Sequence, residues 1–461
     1  MLLEGAGYAF GMKKLVRVGL IMAGVAGAAL GGGVWWVKGQ LSREAVERQL
    51  QAVCGGRVSL GASELEVWGS PTRWRLRDLK VFATVGRDGK AEVPTEPVLS
   101  LREAVLEVSL GSLMSGTLDV QRLNLDGLSV EEYVSPEGVS DLKLVMAKPK
   151  GVAEPKVEVV KEAEPKVEKV QKAGAAEFKA ELLGFTLRVR EARVSNGQLF
   201  IHNRVNKTKT RLEGLQFALN DIDVDPANLA AHNTVKMALE MKLTLEGRGK
   251  VAGEMTDVTF AKLDVSGNGK MQPFEEKTGV WSPVSEWELS LAKGSVLAGY
   301  MTMGQASADA AKKMKDFGLD LSDLPMGGEL LEAAVLKMAF SENRLLVRED
   351  ARFQMPEYEV RMAKGSWVNS AEDAQDLVIR LVCGEELQRR LREGMLKSGL
   401  PEKMADSVVK AFLDETSGRL SFDVRAGGKM TRPDVKPAWD KALERAIQGG
   451  AIEGLLKSIG K

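Results

Sequence analysis

The sequence predicts a mainly β fold: an amino-terminal transmembrane helix, then an antiparallel β body, with a few helices near the carboxyl end. Three observations carry this reading. Apolar and polar residues alternate along many segments, turn-favouring residues separate those segments, and a long uncharged run stands near the start. Many short strands with turns between them fit either a sandwich or one elongated, curved sheet, and do not fit a parallel α/β sheet.

The uncharged run is Val18 to Val37, close to the ~20 residues needed to cross a bilayer. Val18, Leu20 and Ile21 open it, and Trp35 and Trp36 stand where interfacial aromatics belong. Lys13, Lys14 and Arg17 precede it and only Lys38 follows at once, so the positive-inside bias places the amino terminus in the cytoplasm and the body across the membrane. A cleaved signal peptide is the rival, with a cleavage site in the small-residue run Gly27 to Gly33. The apolar stretch continues through Val37, which favours an uncleaved anchor.

After this stub and anchor (1–40) comes a first β region (41–146). Its expected strands are Arg57 to Leu60, Leu65 to Trp68, Arg73 to Val81, Ala104 to Leu110, Thr117 to Leu125 and Leu128 to Tyr133. Asp126-Gly127 between the last two reads as a hairpin turn. Residues 147–178 then turn to lysine, glutamate and proline, with AEPKVE at both Ala153 and Ala163. Such a composition cannot build a core and reads as a solvated linker.

The main β region (179–382) resumes with Leu187 and Val189, then Leu199 and Ile201 after an expected turn at Asn196-Gly197, then Leu215, Phe217 and Leu219. VKMALEMKLTLE follows, with Val235, Met237, Leu239, Met241, Leu243 and Leu245 on one face and mostly charged residues on the other. Further strands are expected over Val258 to Val265, Trp287 to Leu291, Val335 to Phe340, Arg344 to Val347, Tyr358 to Met362 and Leu377 to Val382. Helical patterns cover Ser307 to Phe317 and, in the last region (383–461), Glu385 to Lys397, Pro401 to Leu413 and the amphipathic stretch Trp439 to Ile459. About twenty strands at ~4.8 Å would give a ladder on the order of 100 Å.

Composition removes several function classes. The 64 basic and 64 acidic residues cancel, which argues against nucleic acid as a partner. Two histidines, His202 and His232, share no metal-binding spacing, and the two cysteines, Cys54 and Cys383, make neither a disulfide scaffold nor a zinc site; the sequence leaves their pairing open. Asp221, Asp223 and Asp225 resemble the start of a calcium loop, but Pro226 stands where that loop needs glycine and His232 where it needs glutamate. No nucleophile motif, phosphate-binding loop or acid pair can be nominated, so no catalytic residue, metal or cofactor is expected.

What remains is the apolar face, which needs another sheet or lipid against it. Three stretches bear on the choice: PVLSLREAVLEVSLGSLMSGTLDVQRLNLDGLSVEEY (Pro97 to Tyr133), VREARVSNGQLFIHNRVNKTKTRLEGLQFALNDID (Val189 to Asp223) and GGKMTRPDVKPAWDKALERA (Gly427 to Ala446). In this order after a membrane span, they resemble AsmA-like proteins, relatives of the TamB and chorein-type bridge proteins. The resemblance implies an inner-membrane anchor and a periplasmic, taco-like β-groove holding phospholipid acyl chains. Leu215, Phe217, Leu219 and the six apolar residues from Val235 to Leu245 would form part of the floor. The charged linker and the modest length depart from the family pattern. The alternative is a closed β-sandwich that assists assembly of envelope proteins and carries no lipid.

Overall fold

Alternation of apolar and polar residues gives one large sheet. The computed structural model describes residues 42–437 apart from 55, 68–69, 84–95, 110, 146–177, 206, 252–253, 299–326, 370, 398, 400, 415 and 430–432. The uncharged run Val18 to Val37, the charged linker, and the helices expected over Ser307 to Phe317 and Trp439 to Ile459 lie outside the described residues. Within them no helix is long and apolar enough to cross a membrane.

The described chain opens with a helix absent from the sequence expectation, α1 (Arg43–Val53), whose N-cap Ser42 accepts a hydrogen bond from the Ala45 amide at 3.4 Å. Strands β1 (Arg57–Ser59) and β2 (Ala62–Glu66) both pair with β3 (Thr72–Phe82), which pairs with β4 (Leu99–Ser109). β4 in turn pairs with β5 (Thr117–Asp126) and, at its other end, β6 (Ser129–Val134). The short helix α2 (Asp141–Val145) follows.

Next come four long strands, β7 (Thr186–Asn203), β8 (Thr208–Val224), β9 (Asn233–Val251) and β10 (Glu254–Phe274), antiparallel to one another in succession. β11 (Trp281–Leu291) and β12 (Val296–Ala298) share the far side of β10. The ladder continues through β13 (Gly327–Glu329), β14 (Ala334–Ser341), β15 (Arg344–Val347), β16 (Ala351–Gln354), β17 (Tyr358–Met362), β18 (Trp367–Asn369) and β19 (Ala374–Cys383). Helices α3 (Glu385–Lys397) and α4 (Glu402–Ala411) precede the last strands, β20 (Ser421–Lys429) and β21 (Pro433–Pro437).

Two expectations are corrected here. The sheet is mixed, because β7 runs parallel to both β5 and β6. Parallel neighbours need a long return connection, and the chain between Val134 and Thr186, which contains the charged linker, makes that return. Asp126-Gly127 and Asn196-Gly197 are not hairpins. Gly127 (φ 67°) breaks β5 from β6, Asn196 (φ 53°) lies inside β7, and Gly214 (φ 62°) lies inside β8, with register shifts beside the last two. Bulges and tight turns both demand positive φ and so draw on the same residues, but a bulge bends the strand without reversing it. Asp126 holds this line together by accepting from Asn196 Nδ2 (2.8 Å), Ser195 Oγ (3.2 Å) and Arg102 Nε (2.8 Å). The Asn196 bond and the Arg102 partner hold its carboxyl below the usual value, against the opposing pull of burial.

The ladder is also shorter than the strand number suggests. Six pairs share a rank, namely β1 with β2, β5 with β6, β11 with β12, β13 with β14, β15 with β16 and β17 with β18. The 21 strands therefore fill fifteen ranks, or ~65–70 Å at ~4.8 Å spacing, instead of the expected ~100 Å.

Candidate apolar binding face

Strand register joins the apolar positions into rows across the sheet. One row runs Leu65, Trp74, Leu106, Leu123, Ala192, Leu219, Met237, Gly269, Trp287, Met338 and Val347, one residue from each of eleven strands between β2 and β15. A second runs Val194, Phe217, Leu239, Gly267, Leu289 and Leu336. Towards the β7–β8 turn a third joins Leu199, Leu212, Leu243 and Leu263, and a fourth joins Ile201, Thr210, Leu245 and Ala261. Met241 pairs with Val265 and Val235 with Met271. Because successive side chains alternate, all these residues share one face, and none of them is charged.

The opposite face is polar and laced with ion pairs. Arg73 meets Glu107 at 2.8 Å, Arg102 meets Asp126 at 2.5 Å, and Lys236 meets Asp221 at 2.8 Å.

Cover over the apolar face is uneven. At the amino-terminal end Val46 and Leu50 of α1 pack on Leu60, Trp74 and Leu76. At the carboxyl-terminal end Leu387, Leu391 and Met395 of α3 and Ala405 of α4 close over Phe353, Tyr358, Cys383 and Phe422. At the β8–β9 turn, Ala180 and Leu229 pack with Val224 and Phe274 and plug the floor from that side. Val235 and Met237, nearest this plug, are only 3% and 6% exposed. Further along, Leu239, Met241, Leu243 and Leu245 are half-buried, as are Leu215, Phe217 and Leu219, and none of these seven belongs to a buried core cluster. Among the described residues, no helix lies over this central stretch.

Every residue expected in the floor is thus placed on one face of β8 or β9, with Leu215 beside the Gly214 bulge. The structure adds Val194 from β7, Leu263 and Val265 from β10, and Trp287 and Leu289 from β11. It also adds Gly267 and Gly269, whose period-two spacing with Val265 and Met271 was the available signal. A Cβ at Gly269 would stand 2.8 Å from the Trp287 ring, and one at Gly267 would stand 2.4 Å from Leu289 Cδ2. The two large side chains therefore lie down over bare backbone and keep the floor shallow there.

The polar candidates are consumed locally. Asp221 pairs with Lys236, Asp223 with His232 Nδ1 at 2.5 Å, and Asp225 accepts from the Ala227 amide at 3.0 Å. Cys54 and Cys383 are free, buried thiols in separate core clusters, and burial raises the Cys383 thiol to about 12. Among the described residues no group of histidines, cysteines and carboxylates is placed to hold a metal ion.

Comparison of the chain with protein-family models, curated proteins and solved structures finds no match.

Proposed function

We propose that the central face holds lipid acyl chains, and that the protein is an inner-membrane-anchored, periplasmic, AsmA-like lipid-handling protein without catalytic residues. The observation that carries this is the uncharged floor from β7 to β14, plugged beside the β8–β9 turn and helix-covered at both lateral ends, yet only partly buried at most of its central positions. Burying apolar surface contributes roughly 25 cal/mol per Å², so acyl chains resting on Leu239, Leu243, Phe217 and their neighbours regain much of what they lose on leaving a bilayer. Contacts of this kind are non-directional and allow sliding. The bulges at Asn196 and Gly214 supply local bends of the kind a groove requires. The order of the three family-like stretches after an uncharged run supports the same reading, with Val18 to Val37 as the anchor and phospholipid as the cargo.

The test is mass spectrometry of lipid extracted from residues 41–461 purified without detergent, beside a Leu239→Asp, Leu243→Asp variant. Stoichiometric phospholipid on the parent, lost from a folded variant, is the expected outcome. A well-folded parent free of lipid would sink the proposal and favour an envelope-protein assembly factor instead.

A further inference from the structure

The turn between β7 and β8 differs from the rest of the polar surface. In Asn203 to Leu212 the chain places Arg204, Lys207, Lys209 and Arg211, all exposed, with no acidic residue among them. Among the described residues none of the four takes part in an ion pair; Lys209 stands opposite Glu246 in register without closing one. Arg204 instead lies over the Tyr133 ring at 4.9 Å, and Arg211 approaches the Phe200 ring at 5.9 Å. Many arginines elsewhere on the sheet are paired with carboxylates, as Arg73, Arg102, Arg122 and Arg188 are, although Arg57 and Arg344 also lie over aromatic rings. In a chain of zero net charge, this hairpin concentrates unneutralised positive charge.

Exposed aliphatic residues gather at the same end. Val205 at the turn is 49% exposed, Met255 in the neighbouring β9–β10 hairpin 56%, and Val139 in the turn after β6 50%. Register brings them together, since Val134 pairs with Asn203 and with Ser140, and Thr208 pairs with Gly247. The floor also reaches this end through Ile201, Thr210 and Leu245, with Ile201 and Ala261 buried there beside Phe260, while its other end is packed by Ala180, Val224, Leu229 and Phe274.

We infer that this end docks on an anionic bilayer surface, with the four cations on headgroup phosphates and Val139, Val205 and Met255 in the interface. Cations alone would suit any polyanion. Exposed aliphatic residues among and beside them, at the edge of an apolar floor, select a lipid surface. Docking sets this edge of the floor against the membrane. Its purpose rests on the acyl-chain reading; its occurrence is tested separately.

The experiment uses the full chain carrying Val205→Cys, labelled with an environment-sensitive fluorophore; the native cysteines are buried. It is reconstituted into phosphatidylcholine vesicles with or without phosphatidylglycerol and with spin-labelled acyl chains. The expected result is quenching that depends on phosphatidylglycerol and weakens as salt is raised in the unaltered hairpin. Each cation near an anionic surface favours docking about fivefold, so Arg204→Gln, Lys207→Gln, Lys209→Gln and Arg211→Gln together should lower the docked-to-free ratio by roughly a hundredfold or more. A label at Leu182→Cys, beside the plugged end, should stay unquenched. Absence of quenching at position 205, equal quenching without anionic lipid, insensitivity to both salt and the four substitutions, or equal quenching at position 182 would overturn the inference. Lipid co-purifying with a protein that shows no quenching would leave the acyl-chain reading standing and remove only the docking.

Discussion

The carboxyl-terminal region and the centre of the sheet are built from the same kind of strand but end in different states. Around β16 to β20 the apolar face is sealed: Leu387 and Met395 of α3 and Cys383 at the end of β19 are fully buried against one another. Across β8 to β11 an equally apolar face stays only partly buried at Phe217, Leu239, Met241 and Leu243. What differs is the connections. After Cys383 the chain leaves the sheet as two helices and folds back over it, whereas Asn203 to Thr208 and Phe274 to Trp281 join their strands by short turns that cannot cover anything. Whether a face becomes core or surface is therefore decided by what is inserted between strands.

Mutations can break that contrast. The largest effect is expected at Leu387, where truncation to alanine leaves a cavity in the sealed region and should cost about 3 kcal/mol in urea unfolding. Next comes Asp414, buried between Arg361 and Arg380 on the opposite face, at 3.3 and 3.0 Å. Burial works to raise its pKa, but hydrogen bonds from Ser417 and the two arginine charges hold it below the usual value. Asp414→Asn should cost about 2 kcal/mol by the same assay, less than the loss of a fully buried pair because Arg380 is 43% exposed. Leu243→Ala should cost less, about 1–2 kcal/mol, since this side chain is only partly buried and lies outside the sealed core. A value matching Leu387→Ala would show that the centre is covered in solution and would end the comparison.

The smallest effect concerns Asp126. Its carboxyl pKa is depressed on folding, so its contribution is fully present above the unfolded value near 4 and is lost as pH falls through the lower folded value. Thermal melts of Asp126→Asn should fall below the parent by a few degrees at neutral pH and converge with it in acid. A gap that persists in strong acid would remove the carboxylate from the explanation.

Much of this was legible in sequence because period two survives in it. The expected bounds Arg344 to Val347, Tyr358 to Met362 and Glu385 to Lys397 coincide with β15, β17 and α3, and all nine expected floor residues lie on one face. Register was not legible. Nothing local distinguishes Asn196-Gly197 as a bulge from the same dipeptide as a hairpin, so the sequence pattern divides β7 into two strands and carries no sign of the parallel pairing. Trp287 and Leu289 were seen as a strand without a face, because only the ladder reveals that they lie over Gly269 and Gly267. Helix α1 is not marked by apolar alternation; its start signal, Ser42-Arg43-Glu44, is made of polar residues.

The parallel entry of β7 also orders assembly in time. β7 to β11 are joined by short turns, so each can zip onto its predecessor after closing a small loop. β5 and β6 can meet β7 only when the whole chain from Val134 to Thr186 has closed on itself, which carries a larger entropic cost. The amino-terminal strands and the long central strands should therefore form as two units, with the seam between β5, β6 and β7 closing last and, under mild denaturant, opening first.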